Sequence, residues 1–423
     1  SPSSPITRCA SPERATRAEV ALFVMIHYCH AGVMSVKQEM PLRLARAPRG
    51  VESSAIRDLL AVIDRPDVLS LAGGLPAPDA FPVEAVASAV AAVLAEDPAK
   101  ALQYSATAGI EPLRRWVAGG YEADPDEVVI THGAQQALEL TIRLLVDRGD
   151  TVALADPAYV GAIQALRLAG ADLLAVPSDV DGLRTDVLAE RLAGGARPAL
   201  VYVVSQLDNP TGSTLAHRRR IELAALADRY GFVIVDDDPY GALRWDGEAP
   251  TPLRALSDRV VTLGTTSKVL CPGLRVGWAV APPGIARSMV ITKQAVDLQT
   301  ATLTQHIAHR VLDHPGFLGA HLARLRDTYS ARCQALLGAL DDQLGDRIAF
   351  ARPAGGMFVW ARLPGVDTGA LLGPAIAEGV AFVPGTAFAV DGRPTEWLRL
   401  SFATQARDEL VEAVARLRRA MDR

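Results

Sequence analysis

Lysine is the charged residue this chain of 423 residues has least of: Lys37, Lys100, Lys268 and Lys293 are the only ones, and the other basic side chains are arginine. Basic and acidic residues nearly balance, 43 against 48 for a net charge of −5, which leaves no basic face for the salt-dependent phosphate contacts of nucleic-acid binding. DNA and RNA are not expected partners. Cysteine is sparse as well. Cys9, Cys29, Cys271 and Cys333 form no Cys-x-x-Cys pair and no histidine cluster accompanies them, which excludes a disulfide framework and a structural zinc site and fits a reducing cytoplasm. No apolar run reaches the roughly eighteen residues of a membrane span; Val20 to Ile26 is cut short by His27. That run follows Arg8, Arg14 and Arg17, but Glu13 and Glu19 lie in its flank and no small-residue cleavage site follows, so residues 1–50 read as an N-terminal extension with a native start near Met34. No internal repeat or low-complexity tract is visible.

The chain is 49% hydrophobic and longer than one compact core usually allows, which predicts two domains. Short β-branched runs at Val128 to Ile130, Thr151 to Leu154, Ala199 to Val204, Phe232 to Val235, Val260 to Leu263 and Val276 to Val280 are bounded by Gly, Pro, Asp or Ser and read as strands. Between them, Ala134 to Val146, Val160 to Leu168 and Arg218 to Arg229 carry apolar residues at helical spacing. The alternation predicts a doubly wound α/β domain with a mostly parallel sheet over residues 86–302. From about Thr302 a long helix, Leu318 to Leu344, is followed by short strands at Ile348 to Phe350, Met357 to Leu363, Ala381 to Val383 and Leu398 to Phe402, a smaller α+β domain over 303–423. Residues 51–85, with their Gly/Pro-rich Leu71-Ala-Gly-Gly-Leu-Pro-Ala-Pro, are expected to pack against this second domain.

Scarcity makes the position of Lys268 informative. It ends the run Val260-Val-Thr-Leu-Gly-Thr-Thr-Ser-Lys268, directly after a strand, where ligands bind in open α/β sheets. A desolvated lysine there can serve as an amine nucleophile beside hydroxyls that hold an anion; the plain alternative is a surface lysine on a loop. In Thr131-His-Gly-Ala-Gln-Gln136 a strand passes into a helix, so the amides of Gly133, Ala134 and Gln135 are expected to face a phosphate, although an ordinary βα turn has the same look. Val235-Asp-Asp-Asp-Pro-Tyr240 places three acids at a strand end. One of them under a heteroaromatic nitrogen keeps it protonated, while acids in this position also cap helices or pair with arginine. Asp208-Asn-Pro-Thr-Gly212 fixes an amide side chain in a turn. Arg275 lies close to Lys268 in sequence, and Arg399 interrupts an otherwise buried-looking strand, where it wants an anionic partner or forms a structural ion pair.

Taken in order, these segments resemble the class I/II aminotransferases of fold type I, which use pyridoxal 5′-phosphate, from about Val51 to the C-terminus. With Leu102-Gln-Tyr-Ser, Gly355-Gly-Met-Phe-Val-Trp and Leu398-Arg-Leu-Ser-Phe-Ala they look most like the 2-aminoadipate aminotransferase branch. The resemblance implies that residues 86–302 are a large cofactor-binding domain. It implies that Lys268 forms the internal aldimine and then carries the proton between the substrate Cα and the cofactor. Asp237 matches the partner of the pyridinium nitrogen, Asn209 and Tyr240 the donors to the phenolic oxygen, and Tyr159 the ring stacked on the pyridine. Gly133, Ala134 and Gln135 with Thr265, Ser267 and Arg275 match the phosphate site, and Tyr104 a tyrosine that crosses a homodimer interface to the partner's phosphate. Arg399 matches the fork for the substrate α-carboxylate, with Asn209 and Gly74 beside it, and Arg57 matches a mobile arginine that meets a distal acidic group in some relatives.

Two departures stand out. Val204-Ser-Gln-Leu-Asp208 replaces a more usual Pro- and aromatic-containing stretch, with an expected effect on the substrate wall, and Thr265-Thr266 stands where Ser-Phe is usual but keeps the phosphate hydroxyl. The expected activity is transfer of the amino group of an L-amino acid, 2-aminoadipate-like, aromatic or aliphatic, to a 2-oxo acid such as 2-oxoglutarate by ping-pong kinetics. The alternatives are oxidation, decarboxylation or elimination at the same cofactor, since orientation alone selects which bond breaks, and, remotely, a non-catalytic ligand-sensing regulator. No metal is expected.

Overall fold

The computed structural model describes residues 67–423; the N-terminal extension, Met34, Arg57, Cys9 and Cys29 lie outside the described residues. In chain order the strands are β1 (Leu69–Ser70), β2 (Val128–Thr131), β3 (Thr151–Asp156), β4 (Asp172–Asp179), β5 (Gly182–Leu183), β6 (Leu200–Val203), β7 (Val233–Asp237), β8 (Val260–Thr265), β9 (Gly277–Val280), β10 (Ala349–Phe350), β11 (Phe358–Arg362), β12 (Val380–Ala381), β13 (Val383–Pro384) and β14 (Trp397–Ser401). The helices are α1 (Val83–Glu96), α2 (Pro98–Leu102), α3 (Glu111–Tyr121), α4 (Ala134–Leu145), α5 (Val160–Ala169), α6 (Thr185–Ala193), α7 (His217–Tyr230), α8 (Pro283–Asp297), α9 (Thr302–Leu312), α10 (Phe317–Leu344), α11 (Thr368–Ala377) and α12 (Arg407–Met421).

The main sheet has the order β2-β9-β8-β7-β6-β3-β4-β5. Strands β4, β3, β6, β7 and β8 run parallel, β9 is antiparallel to β8 and β2, and β5 turns back on β4. Successive side chains on each strand point to opposite faces, and both faces are covered. Val152 and Leu154 pack with α4, α5 and α8 on one side, whereas Ala153, Val201 and Ile234 pack with α6 and α7 on the other. All six strands expected here form. The sequence did not mark β4 or β5, because Asp172–Asp179 has polar ends, contains Pro177 and buries only Val176 fully, so the continuous apolar run of an inner strand is missing.

Beyond α8, α9 packs on α1, α2 and α3. A second, antiparallel sheet of order β10-β11-β14-β13 is covered by α10, α11 and α12. The inner stripe of α10, Leu325, Tyr329, Cys333, Leu336, Leu340 and Leu344, repeats at three or four residues and supplies much of that core. The single strand expected at Ala381 to Val383 is instead divided: β12 pairs in parallel with β1, and β13 pairs with β14. Phe382 between them is fully buried. The pairing of Leu69 with Val380 ties the segment after residue 67 to this part of the chain.

Candidate active site

Because β2, β3, β6, β7 and β8 are mutually parallel, the turns that leave them gather at one sheet edge, the position where open α/β sheets bind ligands. There the residues after β2, β3, β6 and β8, the end of β7, the Gly74 turn and Arg399 surround a cavity of about 410 Å³.

Lys268 reaches this cavity from the turn after β8. Its Nζ donates to the Gly74 carbonyl at 2.8 Å. Burial, then the positive charges of Arg399 and Arg275, push the ammonium down to about 8, within reach of the neutral amine near neutral pH.

Two of the three acids, Asp236 and Asp237, end β7 and are divided by its pleat, and Asp238 follows the strand. Asp237 faces the cavity, where Tyr202 Oη donates to its Oδ2 at 2.8 Å. Tyr202 lies opposite Val235 in the β6/β7 register, and Val235 shares a sheet face with Asp237, so strand pairing brings hydroxyl and carboxylate together. Asp237 Oδ1 is buried with no partner, and burial raises the carboxyl to about 7. Asp236 points to the opposite face, where burial lifts it to about 6 with the Arg220 charge nearby in partial opposition. Asp238 caps the following turn, accepting from the Gly241 amide at 2.8 Å and from Gln206 Nε2 at 2.7 Å. The triple acid is therefore one cavity group and two structural ones.

An anion cradle closes one end. Gly133 caps α4 with φ +75°, a conformation an L side chain rarely adopts, and a Cβ there would stand 2.7 Å from Arg275 Nη2. Its own amide is bonded back to the Thr131 carbonyl at 2.9 Å, so of the three amides expected to face an anion, Gly133 is withdrawn while Ala134 and Gln135 line the cavity. Thr265 Oγ1 donates to Ser267 Oγ at 2.9 Å, and both hydroxyls line the same end. Arg275 donates to the His132 carbonyl at 3.1 Å. Tyr159 donates to Gln135 Oε1 at 3.2 Å; burial pushes its phenol up to about 12, so it stays neutral.

At the other end Arg399, only 2% exposed, rises from β14 between the rings of Phe358 and Phe388, 4.2 and 5.1 Å from its guanidinium carbon. Nη1 donates to Asn209 Oδ1 at 2.8 Å and Nη2 to the Ala72 carbonyl at 2.6 Å, while Nε is buried without a partner. Both acceptors are neutral, so the guanidinium charge is left uncompensated, the condition that favours an incoming carboxylate. Turning Asn209 Oδ1 to Arg399 leaves its Nδ2 as a donor. Tyr240 is buried against Phe358, edge to face at 5.7 Å. Of the departing segment before Asn209 only Val204 lines the cavity; Gln206 is spent on Asp238, and Leu207 packs beneath Gly355 and Gly356.

Of the residues singled out in the sequence, Lys268, Asp237, Tyr240, Ala134, Gln135, Tyr159, Asn209, Thr265, Ser267, Arg275, Arg399 and Gly74 come together around this one cavity. Tyr104 does not: it is 77% exposed on the surface of its own chain. Arg57 lies outside the described residues. Tyr202 was missed, its only signal in the sequence being a tyrosine in an apolar strand; Gly74 was expected beside Arg399, but its carbonyl contact with Lys268 was not, and both contacts join residues remote in sequence.

The orphaned Asp237 Oδ1 tests the fit of a cofactor directly. A buried carboxylate oxygen with no proton donor in the protein suits a protonated pyridine nitrogen, and with an amine of lowered pKa and an amide-and-hydroxyl cradle nearby the set fits pyridoxal 5′-phosphate. Fold and cavity thus define a fold type I pyridoxal-phosphate enzyme. The family model "Aminotransferase class I and II" matches residues 66–417. An aromatic-amino-acid aminotransferase of Thermococcus litoralis is 40% identical over 381 residues, 87% of this chain and 91% of that protein. A 2-aminoadipate transaminase of Thermus thermophilus is 43% identical over 378 residues, covering 88% and 94% of the two chains. The crystal structure of an alpha-aminoadipate aminotransferase from Thermus thermophilus, complexed with N-(5′-phosphopyridoxyl)-L-leucine, superposes with TM-score 0.84 at 40% identity, covering 90% of this chain and 97% of that one. The chain belongs to the class I and II aminotransferases.

Proposed function

We propose that this aminotransferase moves the amino group of an L-amino acid, with a 2-aminoadipate-like, aromatic or aliphatic side chain, to a 2-oxo acid such as 2-oxoglutarate in two half-reactions. The observation that carries the reading is the convergence of Lys268, the unpartnered Asp237 oxygen and the unpaired Arg399 guanidinium on one cavity. The names of the relatives support the aromatic and 2-aminoadipate donors, and the leucine adduct in the Thermus thermophilus structure supports an aliphatic one.

When bound, the cofactor supplies an electron sink for the carbon that bears the amino group. Lys268 would hold the cofactor through its amine and, as a free amine, would take up and give back the proton at the substrate Cα. Asp237, held by Tyr202, would keep the pyridine nitrogen protonated, and Tyr159 would supply an aromatic wall for the ring. Asn209 Nδ2 and Tyr240 donate to the ring oxygen. Ala134, Gln135, Thr265, Ser267 and Arg275 take the phosphate. Arg399 grips the α-carboxylate as a planar fork, which fixes the Cα–H bond relative to Lys268, with Gly74 leaving room beside it. For a donor with a distal acidic group we assign its recognition to Arg57, although an arginine at that position also accompanies apolar substrates.

Tyr104 completes the phosphate site of a partner chain, making the enzyme a homodimer with shared sites, and the sparse, unclustered cysteines fit a cytoplasmic location. The exposure of Tyr104 within one chain supports the shared sites. The test is a donor panel of L-2-aminoadipate, L-phenylalanine, L-leucine and L-glutamate, each with a 2-oxo acid acceptor. Acceptor-dependent amine transfer supports the reading; release of ammonia or CO₂ instead supports the rival chemistries.

A further inference from the structure

Lys293 is the one fully buried lysine among the described residues, at 0% exposure, and none of the chemistry above uses it. Its Nζ donates to both carboxylate oxygens of Asp297, one turn along α8, at 2.7 Å. Asp297 Oδ2 also accepts from His132 Nδ1 at 2.9 Å and from Gln136 Nε2 at 2.7 Å. His132 Nε2 accepts from the Ala301 amide at 3.3 Å, which leaves the ring proton on Nδ1. Gln136 Oε1 in turn accepts from the His132 amide at 2.8 Å. His132 and Gln136 bracket Gly133, Ala134 and Gln135, so one carboxylate grips both ends of the turn that carries the free amides. The buried ammonium and the two other donors hold Asp297 ionised against the cost of burial.

We propose that Asp297, charged by Lys293, is a positioning residue for the cofactor phosphate: it cinches the turn from His132 to Gln136 so that the Ala134 and Gln135 amides are fixed before the phosphate arrives. This rests on the assignment of those amides to the phosphate. A turn fixed in advance spares the ordering cost that a loose one incurs on binding, and the benefit falls on the phosphate end, since the other cavity residue the network meets, Arg275 at the His132 carbonyl, belongs to the same cradle.

The test compares full-length wild type, Asp297→Asn and His132→Phe, each stripped of cofactor and titrated separately with pyridoxal 5′-phosphate and with pyridoxal, which lacks the phosphate. His132→Phe leaves the Lys293–Asp297 pair intact and serves where Asp297→Asn fails to fold. Losing one charge-assisted bond of the network is expected to weaken pyridoxal 5′-phosphate about tenfold, with pyridoxal changed less than about twofold, and Asp297→Glu to restore part of the loss. Equal weakening of both ligands, or no change in either, overturns the positioning role. Equal affinity of the wild type for the two ligands overturns the phosphate assignment itself, and the positioning role with it.

Discussion

Replacing Arg399 with lysine separates carboxylate recognition from every other task of the cavity. The guanidinium spends Nη1 on Asn209 and Nη2 on the Ala72 carbonyl, keeps Nε unpartnered, and is clasped by Phe358 and Phe388. A lysine ammonium is a point charge that cannot hold those acceptors and also fork a carboxylate. The loss of one charge-assisted hydrogen bond to the substrate is about 1.5–3 kcal/mol, or about 10- to 150-fold in kcat/KM. The assay is kcat/KM for L-phenylalanine with 2-oxoglutarate, beside the single-turnover rate for 2-phenylethylamine, which has the same ring and amine but no carboxylate. Arg399→Lys is expected to lower the first by that factor and to leave the second within about threefold. An equal fall in both refutes the carboxylate role and makes Arg399 a structural member of the β11/β14 core.

Other consequences follow from the buried charges. Burial lifts Asp237 from an ordinary 3.8 to about 7, so between those values the folded chain holds a proton that the unfolded chain releases. The Asp237 contribution to the stability of the cofactor-free protein is therefore full below about pH 4 and is lost as pH rises through about 7, alongside those of the buried Asp208 and Asp236, which are raised to about 6; Asp237→Asn is expected to remove its part of that fall in Tm, and an unchanged pH profile contradicts the assignment. Lys268, lowered to about 8, is expected to capture the cofactor at a rate that climbs with pH through about 8, and Arg275→Gln, by removing a nearby cation, to shift the midpoint upward. A midpoint near the ordinary 10.5 contradicts the burial argument. For the shared site, mixing inactive Lys268→Ala chains with impaired Tyr104→Ala chains is expected to restore activity in hybrid dimers. Absence of recovery in mixtures verified by native mass spectrometry contradicts it.

The sequence carried Lys268, Asn209 and Asp237 because they sit at or just past the ends of apolar strands, where such residues cannot be mistaken for core, and Arg399 because a lone arginine interrupts the apolar β14. It could not carry contacts that arise only when strands pair. Tyr202 finds Asp237 through the β6/β7 register, and Lys268 finds the carbonyl of Gly74, remote in sequence. The Gly133 amide, expected to face an anion, turns instead to Thr131, a choice made by the φ of one residue. The divided strand at Phe382 was equally hidden, since a continuous apolar run reads the same whether it serves one sheet or two.

The central claim is that one cavity, built on Lys268, transfers nitrogen rather than discarding it. The most direct measurement is a single turnover of the cofactor-loaded protein with an excess of L-amino acid and no acceptor, counting oxo acid, ammonia and CO₂. One equivalent of oxo acid per chain, no ammonia or CO₂, and further turnover only when 2-oxoglutarate is added are expected, with none of this in Lys268→Ala. Continued product release without an acceptor, accompanied by ammonia or CO₂, would contradict it.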